Sequence, residues 1–236
     1  MTPRGGVTTF GRRATVLCAA AVLTAVPVVL APMPATAAAT PPFGQPVMVG
    51  DAKQILTVTS ARAGSSYAKL RGWSLRNGSW VRTFGPVSAR VGSNGTTSSP
   101  REGKSATPRG TFTLTEAFGI QPKPSGTGLP YRRAWAKHWW VSDPKSRYYN
   151  TWQAGPPNGR WNPRYGEQLK RYGRAYNYAV VIDFNRRPVK KGRGSAIFLH
   201  VGTGGATAGC VSVSSAHMVK LLRYLRRDLR PRIAIQ

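Results

Sequence analysis

The sequence is poor in cysteine, histidine and acidic residues. Its 236 residues include two cysteines, three histidines and seven acids, against 35 lysines and arginines. The histidines lie far apart with no acid at ligand spacing, so we expect no metal site, and no motif indicates a cofactor. Cys18 falls within an amino-terminal apolar run, so Cys210 is the cysteine that remains in the rest of the chain. An internal disulfide is therefore excluded there.

The first forty residues have the composition of a secretory signal. Three arginines and no acid precede or begin an apolar run at 14–31, which is followed by an A-T-A-A-A stretch. These features predict a signal peptide at 1–37 and a single domain at 38–236. We expect a secreted or wall-associated protein without a stable membrane anchor. Export would follow the Sec route or, given Arg12 and Arg13, the twin-arginine route.

The low number of acids makes the chain strongly basic. The formal net charge is +28, and removal of the three signal arginines would leave +25. Such a charge favours an anionic surface as partner, such as wall polymers, lipid head groups or nucleic acid. Because we predict export and find no nucleic-acid motif, we expect anionic wall polymers and no nucleic acid. We also expect a monomer.

Short β-rich runs separated by turns predict a mainly β (α+β) fold. The segments 67–75 and 80–84 flank Asn77-Gly78, a strong signal for a hairpin turn. The final part of the chain has apolar residues at helical spacing, with Ser214 or Ser215 as the amino cap and Pro231 at the end. Further strands are predicted at 55–59, 111–118, 176–184, 196–201, 211–213 and 232–236.

The segment 119–172 has little periodicity and is rich in aromatic residues. A stretch of this length inside one domain is typical of a functional insertion. Trp139 and Trp140, next to His138, are candidates for a substrate-binding groove. Aromatic clusters more often pack in a core, and we favour packing for His138.

The candidate catalytic segment begins with an apolar strand that ends near His200. A Gly/Thr loop at 202–209 follows and leads directly to Cys210. This order predicts a Cys-His nucleophile, because an imidazole can lower the pKa of a thiol and later return its proton. The backbone N–H groups of Gly209 and Cys210 are candidates for an oxyanion hole. The alternative is a buried cysteine and a core histidine on adjacent strands.

These residues resemble the L,D-transpeptidase catalytic domain family. The matching positions are His200, Thr207, Gly209, Cys210 and Val211. Two further stretches, at 107–112 and 176–183, are also similar, and the resemblance covers about 87–226. It implies an L,D-transpeptidase-like β-sandwich with one carboxy-terminal helix.

The resemblance also implies roles and a reaction. Cys210 would be the nucleophile, His200 the general base and acid, and the Val201 carbonyl would orient the imidazole. Thr207 would belong to the substrate-binding part of the site. The reaction would be acyl transfer on peptidoglycan stem peptides, with release of the terminal D-alanine. An amine acceptor gives cross-linking, whereas water gives carboxypeptidase activity.

The chain differs from the common family pattern on both sides of the cysteine. Ala208 stands where the family often has histidine, and Ser212 where arginine or asparagine is frequent. These differences indicate a divergent branch. His217 is expected at the surface, and Asp183 in a turn.

The sequence also permits other functions. A sortase-like transpeptidase shares the His-then-Cys order but usually separates the two residues more widely. Papain-like wall peptidases have the opposite order. A non-catalytic cationic wall-binding module would use only the charge and the aromatic residues.

Overall fold

The computed structural model describes residues 43–236, and the predicted signal peptide lies outside these residues. The described part contains fifteen strands, one α-helix and three 3₁₀ segments. The strands are β1 Gln54–Ser60, β2 Tyr67–Arg76, β3 Ser79–Arg90, β4 Thr96–Thr97, β5 Thr107–Pro108, β6 Gly110–Thr113, β7 Ala117–Gly119, β8 Tyr131–Arg133, β9 His138–Val141, β10 Thr151–Ala154, β11 Gly166–Gln168, β12 Ala179–Val181, β13 Phe198–Val201, β14 Val211–Val213 and β15 Arg232–Ile235. The helix α1 is Ser215–Tyr224, and the 3₁₀ segments are Pro163–Tyr165, Leu169–Tyr176 and Arg227–Leu229. The fold is thus mainly β with few helices, as predicted.

Ten strands form one sheet in the order β6-β15-β1-β2-β3-β14-β13-β12-β7-β8. In a flat sheet, β6 and β7 would be about 38 Å apart, because neighbouring strands are separated by about 4.8 Å. Only residues 114–116 connect these two strands. Such a link spans at most about 15 Å, so the sheet must curl until its two ends approach each other.

The two faces of the large sheet carry different cores. Alternate residues of one strand divide between them: Leu199 and Val201 pack toward α1, whereas Phe198 packs on the opposite face. On that opposite face lies the small sheet β10-β9-β11, whose Trp140 contacts Phe198 edge-on at 4.9 Å between ring centroids. The small sheet therefore forms a second layer over this face.

The predicted hairpin is confirmed. Strands β2 and β3 pair antiparallel, and Asn77 and Gly78 between them have φ values of 49° and 79°. Positive φ at both central residues is the geometry that matches the twist of the two strands. The predicted final strand is also present as β15, which pairs in parallel with β1.

Three predicted elements differ from the structure. The predicted strand 111–118 is divided into β6 and β7, which lie near opposite ends of the sheet order. The predicted strand 176–184 contains only β12, because the chain before it forms the 3₁₀ segment Leu169–Tyr176. The aromatic segment 119–172, in which we predicted no regular element, supplies β8 and the whole three-stranded layer, and its role as a functional insertion stays a prediction.

The carboxy-terminal helix is shorter than its apolar spacing predicts. The Ser214 hydroxyl caps α1 by accepting from the His217 N–H, as the sequence indicates. The helix ends at Tyr224, where the Gln54 side chain donates to the Tyr224 carbonyl at 2.8 Å and accepts from the Arg226 N–H at 2.9 Å. A side chain from β1 therefore replaces the next helical hydrogen bonds.

No helix in residues 43–236 is both long enough and apolar enough to span a membrane.

Candidate active site

Strand pairing places Cys210 and His200 on the same face of the large sheet. Strands β13 and β14 run in parallel, with Leu199 opposite Val211 and His200 opposite Ser212. Cys210 directly precedes β14 and therefore lies beside Phe198. Because side chains alternate along a strand, Cys210 points to the face that also carries His200.

The backbone of Cys210 is held by two threonines. The Thr207 hydroxyl donates to the Cys210 carbonyl at 2.6 Å and accepts from the Gly209 N–H at 3.2 Å. Thr107 donates to the same carbonyl at 3.1 Å. Gly209 has a φ of 141°, a conformation that other residues rarely adopt. Thr207 thus stabilises this turn, and its hydroxyl accepts from the Gly209 N–H.

The thiol of Cys210 is buried and forms hydrogen bonds with two backbone groups. Sγ donates to the Ala196 carbonyl at 3.2 Å and accepts from the Phe198 N–H at 3.3 Å. Burial raises the pKa of the Cys210 thiol, and the carboxylate of Glu167 raises it further, while the Phe198 N–H opposes the shift. The resting thiol is therefore protonated at neutral pH.

The imidazole of His200 is also fixed by the backbone. Nδ1 lies 2.9 Å from the Val201 carbonyl, which can only accept, so Nδ1 carries a proton. Burial lowers the pKa of His200, although the Val201 and Ala175 carbonyls favour its protonated form. The ring packs edge-on against Tyr176 at 5.6 Å. Within the described residues, no hydrogen bond joins this imidazole to the Cys210 thiol.

A cavity of about 800 Å³ opens onto Cys210. Its walls come from the loop before the cysteine, from the segment 195–197 and from the small sheet and its connections. Three of the seven acids line it, together with two cations and Tyr172. These charged residues are Glu102, Asp143, Glu167, Lys145 and Arg164.

Two carboxylates of this cavity accept from tyrosine hydroxyls, although no local sequence pattern marks either of them as a site residue. Tyr176 donates to Glu167, and Tyr149 donates to Glu102. Burial raises the pKa of Glu167 to about 7, and the charge of Glu102 adds to the shift. The scarcity of acids was the one signal that could have drawn attention to both residues.

The predicted aromatic substrate-binding residues lie elsewhere. Trp140 is 1% exposed and donates from Nε1 to Asn150. Trp139 lines a different cavity, together with Arg171. His138 accepts from the Trp135 N–H and packs against Trp152, so it has a packing role. Neither tryptophan contributes to the described wall of the Cys210 cavity.

A family profile of the L,D-transpeptidase catalytic domain (YkuD) matches residues 67–231. This range is more than half of the chain. The chain belongs to the YkuD family. No curated protein matches it. Among solved structures, the chain is similar to the helical cell shape determining protein Pgp2 from Campylobacter jejuni, with 11% sequence identity and a TM-score of 0.39. That match covers 80% of this chain and 52% of Pgp2, so the chain spans about half the length of Pgp2.

This YkuD domain has a second large cavity that is rich in arginine. The cavity has a volume of about 820 Å³ and is lined by six arginines and three acids. The acids are paired: Arg186 contacts both Glu116 and Asp183 at 2.9 and 2.6 Å, and Asp51 contacts Arg230 and Arg232. Asp183, predicted in a turn, thus belongs to this network and also accepts from two threonine hydroxyls. His217, predicted at the surface, is half-buried against Phe84.

Within residues 43–236, no group of three or more histidine, cysteine or acidic side chains is arranged to hold a metal ion.

Proposed function

We propose that this protein is an exported cysteine acyl-transferase that acts on peptidoglycan stem peptides. The observation that carries the proposal is Cys210 at the wall of the 800 Å³ cavity, on the same sheet face as His200. A cysteine and a histidine fixed by the backbone, beside a cavity large enough for a peptide, form the minimal equipment for acyl transfer. Membership of the YkuD family supports the same reaction class.

In the proposed reaction, Cys210 Sγ attacks the carbonyl carbon of an L,D peptide bond. The thiol proton passes to His200, which returns it to the departing amine of D-alanine. The acyl group, now a thioester on Cys210, then transfers to an amine of a second stem peptide or to water. The Val201 carbonyl accepts a hydrogen bond from His200 Nδ1, which therefore carries the proton of the neutral imidazole. Nε2 of His200 is then the atom that accepts the thiol proton.

The thiol must change its hydrogen bonding before it can react. In the structure it donates to the Ala196 carbonyl. We propose that a bound peptide displaces this contact and that Sγ rotates toward His200. The same movement would allow the scissile carbonyl to approach the Cys210 and Gly209 N–H groups, with Gly209 released from Thr207.

We further propose that the arginine-lined cavity binds anionic wall polymers. Arg187 and Arg227 line this cavity, and neither forms an ion pair within the described residues. Free guanidinium groups at a concave surface bind phosphate groups well, because their planar donors match the oxygen atoms. Retention in the wall would then rest on this cavity, and export on the predicted signal at 1–37.

The first test is the intact mass of the purified protein, without residues 1–37, after incubation with a carbapenem. We expect one adduct per molecule, lost in Cys210→Ser and formed more slowly in His200→Ala. Release of D-alanine from a synthetic tetrapeptide stem, with and without an added amine, would then separate transpeptidation from hydrolysis. An absence of both the adduct and D-alanine release would reject the proposal.

A non-catalytic wall-binding protein is the second candidate, because the Cys210 thiol is buried and its pKa is raised. Such a protein would release no D-alanine, and Cys210→Ser would leave its wall binding unchanged. The sortase-like alternative is set aside, because the family match assigns the fold to the YkuD group.

A further inference from the structure

The Cys210 thiol is held by the segment that leads into β13. Its Sγ donates to the Ala196 carbonyl at 3.2 Å and accepts from the Phe198 N–H at 3.3 Å. Ala196 is buried and has a φ of 53°, a conformation that is unfavourable for a residue with a Cβ atom. Such a residue keeps this conformation only when its neighbours fix it, so the contacts of Ala196 determine where the thiol lies.

Asn150 forms the contact that fixes Ala196. It directly precedes β10 and is 2% exposed, and its backbone N–H donates to the Val141 carbonyl of β9 at 2.7 Å. Its side-chain Oδ1 accepts from the Ala196 N–H at 3.2 Å. The amide side chain of Asn150 therefore links the small sheet to the segment that holds the thiol.

The side-chain amide of Asn150 uses its full hydrogen-bonding capacity. Oδ1 also accepts from Trp140 Nε1 at 2.9 Å, and Nδ2 donates to the Phe184 and Asn185 carbonyls at 3.1 and 2.8 Å. The opposite amide orientation would place donors against donors, so these four partners fix the side chain in one orientation. Asn150 is thus a rigid support for the backbone of Ala196.

These contacts connect Asn150 to the nucleophile through a single residue. We propose that Asn150 is a positioning residue for Cys210: by binding the Ala196 N–H, it holds the Ala196 carbonyl where the thiol donates to it. A hydrogen bond from the neutral thiol favours the protonated form, so Asn150 keeps the thiol protonated until a bound substrate displaces the contact. The proposal rests on the proposed function only for the statement that this substrate is a stem peptide.

The test is the rate at which iodoacetamide alkylates Cys210 in the purified protein without residues 1–37, measured by mass spectrometry at pH 8. The thiolate forms the S–C bond as iodide leaves, so the rate reports the thiolate fraction. Asn150→Gly removes the side chain and tolerates the φ of 58° at this position. We expect it to raise the rate by about tenfold, which corresponds to one unit in the thiol pKa. Glu167, whose charge also raises this pKa, is unchanged in every variant.

Asn150→Asp separates positioning from general support of the fold. The carboxyl group keeps an acceptor for the Ala196 N–H but lacks the two N–H donors that bind the Phe184 and Asn185 carbonyls. We therefore expect a lower free energy of unfolding in urea, with an alkylation rate no higher than that of the unmodified protein. If alkylation instead accelerates in both Asn150 variants in proportion to their loss of stability, the role is merely structural and the proposal is overturned.

The control for stability is Thr57→Val on β1. The Thr57 hydroxyl is buried and accepts from Trp73 Nε1 at 3.1 Å. Its loss should destabilise the protein and leave the alkylation rate unchanged, because neither residue contacts the segment that holds the thiol. Equal acceleration in Thr57→Val and Asn150→Gly, or no acceleration in Asn150→Gly, would overturn the proposal.

Deuterium exchange of the unmodified protein tests the same contact without a variant that has to fold. The Ala196 amide should exchange slowly, because its N–H is bound to the buried Asn150. Exchange as fast as that of the exposed loop 203–206 would overturn the proposal. If Asn150→Gly accelerates alkylation but the unmodified protein releases no D-alanine from stem peptides, the proposed function fails and the positioning role of Asn150 stands.

Discussion

The Cys210 cavity and the arginine-lined cavity have similar volumes, about 800 and 820 Å³, but they differ in whether their acidic side chains form ion pairs. In the arginine-lined cavity every acid is paired with a guanidinium group, so the carboxylates stabilise the fold. In the Cys210 cavity the glutamates are bound only by tyrosine hydroxyls. Acidic side chains are thus paired with arginine where they support structure and form no ion pair beside the thiol.

This difference predicts opposite effects when an acid is removed from each cavity. Loss of a paired carboxylate leaves its partners unsatisfied, whereas loss of a repelled one removes an unfavourable charge. Free energies of unfolding can therefore distinguish a structural acid from a functional one, in the same protein and with the same method.

The largest effect is expected in the arginine-lined cavity, for Asp183→Ala. Asp183 has a side chain that is 13% exposed, accepts from two threonine hydroxyls and pairs with Arg186 at 2.6 Å. We expect a loss of about 2–4 kcal/mol in the free energy of unfolding, measured with urea. The matched control is Asp228→Ala, at a side chain that is 74% exposed and 3.8 Å from Arg226, with a change below about 0.5 kcal/mol. Equal losses in both variants would contradict the comparison.

In the Cys210 cavity, Glu167→Gln should stabilise the protein at pH 8. The folded-state pKa of Glu167 is raised to about 7 from an ordinary value of 4.5. Its contribution to stability is therefore present below pH 4.5 and is lost as the pH rises through 7. We expect the variant to gain on the order of 1–3 kcal/mol at pH 8 and nothing at pH 4, measured by denaturant unfolding. A loss of stability at pH 8 would show that the Tyr176 contact outweighs the charge.

The turn before the nucleophile gives a third test, this time of reactivity. Thr207→Val removes the hydroxyl that holds the Cys210 carbonyl and the Gly209 N–H. We expect carbapenem acylation to slow by about tenfold, because a small displacement of the attacking atom is costly. Thr207→Ser keeps the hydroxyl and should stay close to the unmodified rate. Equal slowing in both variants would contradict this role of the hydroxyl, because serine keeps it.

The smallest effect is expected for polymer binding at the arginine-lined cavity. The double variant Arg187→Gln with Arg227→Gln removes two guanidinium groups without breaking an ion pair. We expect binding to an anionic wall polymer to weaken by about threefold to tenfold at low salt and to become less salt-dependent. The control removes two exposed arginines of the hairpin, Arg76 and Arg82, and should weaken binding less. Equal weakening would mean that net charge alone drives binding.

Local signals in the sequence predicted much of the fold. The Asn77-Gly78 turn and the Ser214 cap depend on neighbouring residues only, and both are present. The end of α1 was not predictable, because it is set by Gln54, which is distant in the chain. The division of 111–118 was also missed, because alternation within a strand does not show where the curled sheet ends.

In the candidate site, too, the features set by neighbouring residues were predictable and those set by distant residues were not. The order of His200 and Cys210 and the Gly/Thr loop between them are written in the sequence, and they led to the family. The substrate roles of Trp139 and Trp140 stay predictions, and they relied on aromatic composition, which did not show that Trp140 would be buried while Trp139 lines a cavity. Trp140 packs against Phe198 because β9 lies over the large sheet, a long-range pairing that no local pattern encodes.

The basic charge, the lone cysteine beyond the predicted signal, the hairpin and the His-then-Cys order can all be recognised in the sequence, because each depends on composition or on near neighbours. Folding adds what no local pattern contains: Glu167 and Glu102 share a cavity with Cys210, the acids outside that cavity pair with arginine, and the thiol donates to the Ala196 carbonyl. These contacts join residues that are distant in the chain, so charge pairing and hydrogen bonding are fixed when the sheet closes.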